Sequence, residues 1–259
     1  MATKAGGYGD SLSLGYSTDP NLLIGAGGWH YFFTPGDRLV NYSKSYRFVE
    51  VNSSFYSYIP LQVALNWRRK VPRGFVFSVR AHRDITHKHK LRISEETIRA
   101  QNYMKRFCEA LGSEALVYSS PPSFEPTEEN LMVAERFFEG AERGKFALVW
   151  ETRGKMWSAT KTKAALRRIL METDVTHSTD LSYQDPVYTN KLVYSRIFGP
   201  AREVIRHGQY SIKDSQLNRT IEISGKYLGQ KKRVMISFHS VRMYEDAARM
   251  IKGTQSPMS

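Results

Sequence analysis

The chain has 259 residues, enough to bury a large core as one α/β domain or two small ones. Its 38 Lys and Arg against 25 Asp and Glu give a formal charge of +13, which favours anionic partners: nucleic acid, phosphorylated metabolites or an acidic surface. One cysteine, Cys108, excludes an intramolecular disulfide and any multi-cysteine metal site, and no apolar run reaches the ~18 residues of a membrane span. With no signal-peptide core at the start, the expected setting is the cytoplasm, without a membrane partner.

Residues 1–20 are rich in Gly, Ser and Thr without an apolar period and read as a flexible leader; 21–252 read as a single domain and 253–259 as a flexible tail. Eight short apolar runs follow one another: 22–26, 47–52, 75–80, 115–119, 146–151, 174–180, 192–198 and 233–239. Each has strand length and β-branched or aromatic content.

Most of the gaps carry helical patterns. Ser94 caps a segment ending at Gly112, and Thr127 caps another; Ser211 with Asp214 resembles a capping box. Residues 60–71, 159–171 and 243–252 also read as helices. Between the sixth and seventh strands, 181–191 is short and interrupted by proline, so the sixth crossover is expected to be irregular. Eight strand–helix alternations predict an α/β fold, a (β/α)8 TIM barrel; a doubly wound open sheet is the alternative.

In a barrel the reactive groups sit where strands exit at their C-terminal ends. Those exits read Gly25-Ala26-Gly27-Gly28-Trp29, Glu50/Asn52/Tyr56, Arg80 to His87, Ser119-Ser120-Pro121-Pro122, Glu151/Arg153, Asp180, Arg196 and His239. Glu50 and Asn52 alternate with Val49 and Val51, so a carboxylate and an amide point to one face of a buried strand.

GAGGW at 25–29, EVNSSFY at 50–56, VRAHRDITH at 79–87, SSPPSF at 119–124 and ETRGKMW at 151–157 resemble, in order, the signature segments of the DUF72 (YecE-like, UPF0759) family. The likeness runs from about Leu22 to Met250, and it implies a TIM barrel without implying an activity. There are departures. Ser119 stands where the family usually has Gln before Leu-Pro-Pro, Arg196-Ile197-Phe198-Gly199 where it has Arg-Leu-His-Gly, and Phe238-His239-Ser240 where it has Phe-Asn-Asn. Glu151-Thr152-Arg153-Gly154-Lys155-Met156-Trp157 replaces Glu-Phe-Arg-His-Pro-Ser-Trp, losing a His.

Glu50 and Glu151, on strands two and five, are candidates to share acid and base roles, with His87 assisting proton transfer. An alternative use of the same carboxylates is a divalent metal site with Asp180 and His239, although no HxH or HExxH spacing is present. Arg80, Arg83 and Lys88 belong to a run of thirteen residues, 80–92, holding five Lys/Arg and three His against one Asp. Such a loop puts positive potential over the mouth and suits phosphate contacts. Arg153 and Arg196 either clamp an anion or neutralise the two glutamates. Trp29 and Tyr56 either stack on a base or sugar or pack at the mouth. The glycines at 25–28 could receive a phosphate or merely form a tight strand exit.

No P-loop, dinucleotide fingerprint or Ser-His-Asp order is present. The expectation is a hydrolase acting on a phosphate-bearing substrate, plausibly DNA or RNA. The alternatives are a non-catalytic nucleic-acid-binding protein and an enzyme for a neutral sugar or small metabolite.

Overall fold

The computed structural model describes residue 17 and residues 19–199 and 211–255. Most of the expected leader, and residues 256–259 of the expected tail, lie outside the described residues. The eight strands are β1 (Leu22–Ala26), β2 (Phe48–Val51), β3 (Val76–Arg80), β4 (Ala115–Ser119), β5 (Ala147–Glu151), β6 (Thr176–Ser178), β7 (Leu192–Ile197) and β8 (Arg233–Phe238). All neighbours pair in parallel in the order β6-β5-β4-β3-β2-β1-β8-β7. A parallel bridge between Thr179 and Ser195 then joins β6 to β7, leaving a nearly closed TIM barrel.

Strand phase sorts the barrel interior into two zones. Leu23, Phe48, Val76, Val117, Val149, Tyr194 and Met235 form an apolar plug inside the barrel. Two residues further along each strand the same inward phase brings Gly25, Glu50, Ser78, Ser119, Glu151, Arg196 and Ser237 towards the C-terminal mouth. The larger core lies outside the barrel, where outward residues such as Val49, Phe77, Leu116 and Trp150 meet the helices.

Among the described residues, helices α1 (Arg38–Ser45), α2 (Leu61–Lys70), α3 (Glu95–Leu111), α4 (Glu128–Gly140), α5 (Thr160–Glu172), α6 (Asp214–Gly229) and α7 (Met243–Gln255) form the outer layer. Ser94 and Thr127 cap α3 and α4 as expected, each accepting the third backbone N–H at 3.2 Å. Gly112 closes α3 in the left-handed region at φ 64°. No helix lies between β6 and β7, so the sixth crossover is irregular.

Several boundaries differ from the sequence reading. Helix α1 is absent from it, because eight residues with only Leu39, Tyr42 and Ser43 buried give too short a period to register. The predicted sixth strand shrinks to Thr176–Ser178. Ser211 caps nothing: its hydroxyl donates to Asp246 of α7 at 2.5 Å, and α6 begins instead at Asp214, after Gln216 accepts from Lys213 N–H. Residues 253–255, expected in the tail, continue α7.

Candidate functional site at the barrel mouth

Arg196, at the end of β7, organises the mouth. Its guanidinium forks onto Glu50 of β2, Nε to Oε2 at 3.1 Å and Nη2 to Oε1 at 2.9 Å. The remaining nitrogen, Nη1, donates to Glu151 Oε2 of β5 at 2.5 Å and to Ser119 Oγ of β4 at 2.9 Å. Four strands are thereby tied through one side chain that is 1% exposed. A planar five-donor fork is the group able to do this; a lysine would reach one carboxylate with a point charge.

The carboxylates are fully engaged. Glu50, 0% exposed, also accepts from Tyr194 OH at 2.7 Å, and Tyr194 OH lies 2.6 Å from Ser78 Oγ. Burial raises the Glu50 carboxyl most, but the attraction of Arg196, with smaller contributions from His239 and Tyr194, overrides it and holds the group well below the usual carboxylate range. Arg196 is pushed upward in turn, because Glu151 and Glu50 outweigh its own burial. Glu151 receives a second guanidinium, Arg153 Nη2, at 3.1 Å.

His239 closes the opposite side. Its Nε2 lies 3.0 Å from Ser237 Oγ and 3.5 Å from Glu50 Oε1, while Nδ1 lies 3.3 Å from Asn52 Nδ2. Asn52 Nδ2 also donates to Gly27 O at 2.9 Å, and Asn52 Oδ1 lies 3.4 Å from Arg196. Burial, then the charge of Arg196, lowers the imidazole pKa to about 4. The ring is therefore neutral at pH 7. Phe198 stacks on it at 4.8 Å and 19°, with Arg196 and Arg153 on the Phe198 ring at 5.1 and 5.5 Å. Ser119 and Phe198 thus touch the Arg196 guanidinium, and His239 stacks on Phe198.

Arg80, at the end of β3, behaves differently from the other two arginines. It is 8% exposed, yet no hydroxyl, carbonyl or carboxylate among the described residues bonds its guanidinium, and Nε is buried without a partner. Its contact is the Phe55 ring, 3.6 Å away. Burial, then the charges of Arg196 and Arg153, lowers its pKa to about 9, against partial support from Glu50 and Glu151. Phe55 also receives the His87 ring edge-on at 4.8 Å.

His87 sits in a π-helical turn, Asp84–Lys88, whose wide backbone bond runs from His89 N to Asp84 O at 3.0 Å. Lys90 and Leu91 follow in the left-handed region, φ 48° and 62°, with Leu91 buried beneath the turn. His87 lies within electrostatic range of Arg80, Arg153 and Glu151. Burial and the two arginines lower its pKa to about 4. With Nδ1 held 2.9 Å from Thr86 Oγ1, Nε2 is the nitrogen left to meet a ligand. Arg83 and Lys88, on the same turn, are exposed.

The four residues considered for a metal do not assemble. Arg196 occupies the space between Glu50 and Glu151, and Asp180 turns away to accept from Ser182 N at 3.0 Å and Phe198 N at 3.0 Å. Among the described residues no cluster of three His, Cys, Asp or Glu could hold a metal ion. The glycine turn binds no phosphate through Gly27 N–H, which donates to Phe238 O at 2.8 Å; a Cβ on Gly25 would stand 1.9 Å from Phe48 O and one on Gly27 2.3 Å from the His239 ring. Close approach explains both glycines.

Trp29 and Tyr56 line a groove of about 1900 Å³ that opens beside Gly27, Asn52 and His239. Trp29 packs edge-on against Trp67 at 4.9 Å, whereas Tyr56 is 61% exposed. A smaller cavity of about 370 Å³, lined by Arg153, Thr152 and Tyr183, flanks the other side. Ser119, expected at a strand exit, is there and bonds Arg196. Tyr194 is the mouth residue the sequence expectations lack; its place two residues before Arg196 on the same strand face is the signal that could have found it.

No helix of the described residues is long and apolar enough to cross a membrane. No curated protein matches the chain. Among solved structures it resembles a DUF72 family protein from Thermotoga maritima, with a TM-score of 0.71 and 18% identity over 91% of this chain and 99% of the other. A DUF72 family protein from Enterococcus faecalis matches with a TM-score of 0.69 and 18% identity over 92% and 98%. The endonuclease IV of Thermus thermophilus shares the fold at a TM-score of 0.53 and 14% identity, over 90% and 97%. The family model described as a protein of unknown function, DUF72, matches residues 24–258, and with the barrel and its mouth motifs in place the chain belongs to that family.

Proposed function

We propose that this protein binds a phosphate-bearing ligand at the barrel mouth and hydrolyses its ester. The observation that carries the reading is Arg80: a residue 8% exposed whose Nε is buried without a partner, beside two further arginines, and whose guanidinium bonds no anion among the described residues. A guanidinium shielded on its Nε side and crowded by like charge gains from an arriving anion, which supplies the missing bond and offsets the repulsion. Arg196 is held by Glu50 and Glu151 and supplies a fixed positive field, so the two glutamates position it rather than exchange protons. Arg153, shared with Glu151, stands as the second ligand contact.

His87 is the proton acceptor of the reading: it is neutral at pH 7, and burial with the charges of Arg80 and Arg153 holds its pKa at about 4, so an anion that offsets those charges makes the imidazole more basic. In the proposed step a water oxygen bonds to phosphorus while His87 Nε2 accepts the water's proton. The ester P–O bond breaks, and the leaving oxygen is protonated from solvent. Barrels of this shape include an endonuclease, which suits a phosphoester substrate, and also a GH18 chitinase, so fold alone does not select the chemistry.

A second reading, ligand binding without turnover, is favoured by one feature: both carboxylates are committed to Arg196, which leaves no side-chain acid for the leaving group.

Calorimetric titration with inorganic pyrophosphate tests the binding. Arg80→Gln is expected to weaken it by about tenfold or more without lowering the melting temperature. Unchanged affinity would reject the site. A panel of phosphomonoesters and phosphodiesters then separates the readings: turnover that His87→Ala abolishes while pyrophosphate still binds identifies the hydrolase, and binding without turnover of any ester identifies the binding protein.

A further inference from the structure

We infer that the aromatic groove beside the mouth takes successive bases of single-stranded nucleic acid, so that the phosphate-bearing ligand is an oligonucleotide. The inference rests on the phosphate reading of Arg80 and adds to it the part of the ligand that Arg80 cannot recognise. The groove's inner end is Gly27, Asn52 and His239, the residues that touch the Arg196 cluster; from there it runs outward between the β1–α1 loop and α7. At about 1900 Å³ it exceeds the ~300–1000 Å³ usual for small-molecule sites, which suits an oligomer.

Its lining is aromatic. Trp29 and Trp67 form the packed wall, while Tyr31 and Phe33 are 64% and 68% exposed and Tyr56 stands open at the inner end. Rings left in water beside a cleft are unfavourable for the protein alone and suit stacking on flat partners. The sequence couples groove to mouth through adjacent residues: Phe55 carries Arg80 and His87, and Tyr56, 4.9 Å from it edge-on, lines the groove. A chain with one phosphate on Arg80 therefore passes over Tyr56 into the aromatic channel.

Charge selects a nucleic acid over an oligosaccharide. Lys44, Arg242 and one carboxylate, Glu245, line the groove, with Glu245 ion-paired to Arg242, and Arg38 lies over the Phe33 ring at 5.1 Å, so the balance of formal charge there is positive. The chain as a whole carries +13. Stacking rings interleaved with cations are the combination single strands use without sequence preference.

Fluorescence anisotropy of the full chain at fixed ionic strength tests this with a labelled short oligothymidylate, an abasic oligomer of the same length and inorganic pyrophosphate as competitor. The Tyr31→Ala/Phe33→Ala variant, altered at two exposed positions, is expected to bind oligothymidylate about tenfold or more weakly and pyrophosphate unchanged. Arg80→Gln is expected to weaken both. Equal affinity for the abasic oligomer, or an unaffected double variant, overturns the groove while leaving the phosphate site standing; an unaffected Arg80→Gln overturns the phosphate site instead. Occupation of the groove by a neutral chitin oligosaccharide but not by oligothymidylate also overturns it.

Discussion

Glu50 illustrates how a residue conspicuous in the sequence can matter for a reason other than the chemistry its type suggests. A carboxylate pointing into a barrel invites an acid/base role, yet both its oxygens are taken by Arg196 and Tyr194. Glu50→Gln should destabilise the fold by about 3–5 kcal/mol, because it leaves a buried guanidinium short of a counter-charge. The urea midpoint checks it. The folded-state pKa of Glu50 is depressed, so its contribution is complete above its ordinary value of 4.5 and is lost as pH falls below that towards the folded value. The stability gap between the native chain and Glu50→Gln should thus be widest above pH 4.5 and narrow in acid. A gap independent of pH would show that the pair is not the cause.

Among the elements, the helices follow local rules that the sequence states openly. Ser94, Thr127 and Gly112 do what their types predict, since caps satisfy backbone groups within a few residues. Gly112→Ala should cost roughly 1–2 kcal/mol, measured by thermal unfolding. A Cβ there would meet only Arg68 Cδ at 3.6 Å, an ordinary contact, so the cost reports the left-handed backbone alone. Ser211 shows where local rules stop. It has the spacing of a cap, but Asp246, thirty-five residues on, takes its hydroxyl into a buried network with Ser240 and Ile212 N–H. The π-helical turn at 84–88 is equally hidden, because it is closed by buried Leu91, whose N–H donates to Ile85 O at 2.9 Å, rather than by a propensity of Asp-Ile-Thr-His-Lys.

At the scale of the molecule, the mouth holds three arginines against two glutamates, and its pH response follows from the groups that titrate. Arg80 keeps its charge across the accessible range, because a guanidinium is not deprotonated in proteins; burial and the charges of Arg196 and Arg153 only weaken its hold on the proton, so pyrophosphate binding should persist in mild alkali and Arg80→Gln should weaken it at every pH. His87 is neutral above about 4; below that it gains a proton, and turnover should fall while anion binding does not. Binding and rate measured across about pH 3.5–10 check both expectations. The sequence by itself determined the eight strands, the inward phase of Glu50 and the caps of α3 and α4, because alternation and capping are read within a few residues of chain. It also placed Glu50, Asn52, Glu151, Arg153, Arg196 and His239 at strand exits, which the barrel brings together. Only the tertiary structure decided their partnerships. Whether Arg196 meets a ligand or two glutamates depends on barrel closure, which sets side chains 45 and 146 residues apart within hydrogen-bond reach and leaves Arg80, identical in type, bonded to no anion among the described residues.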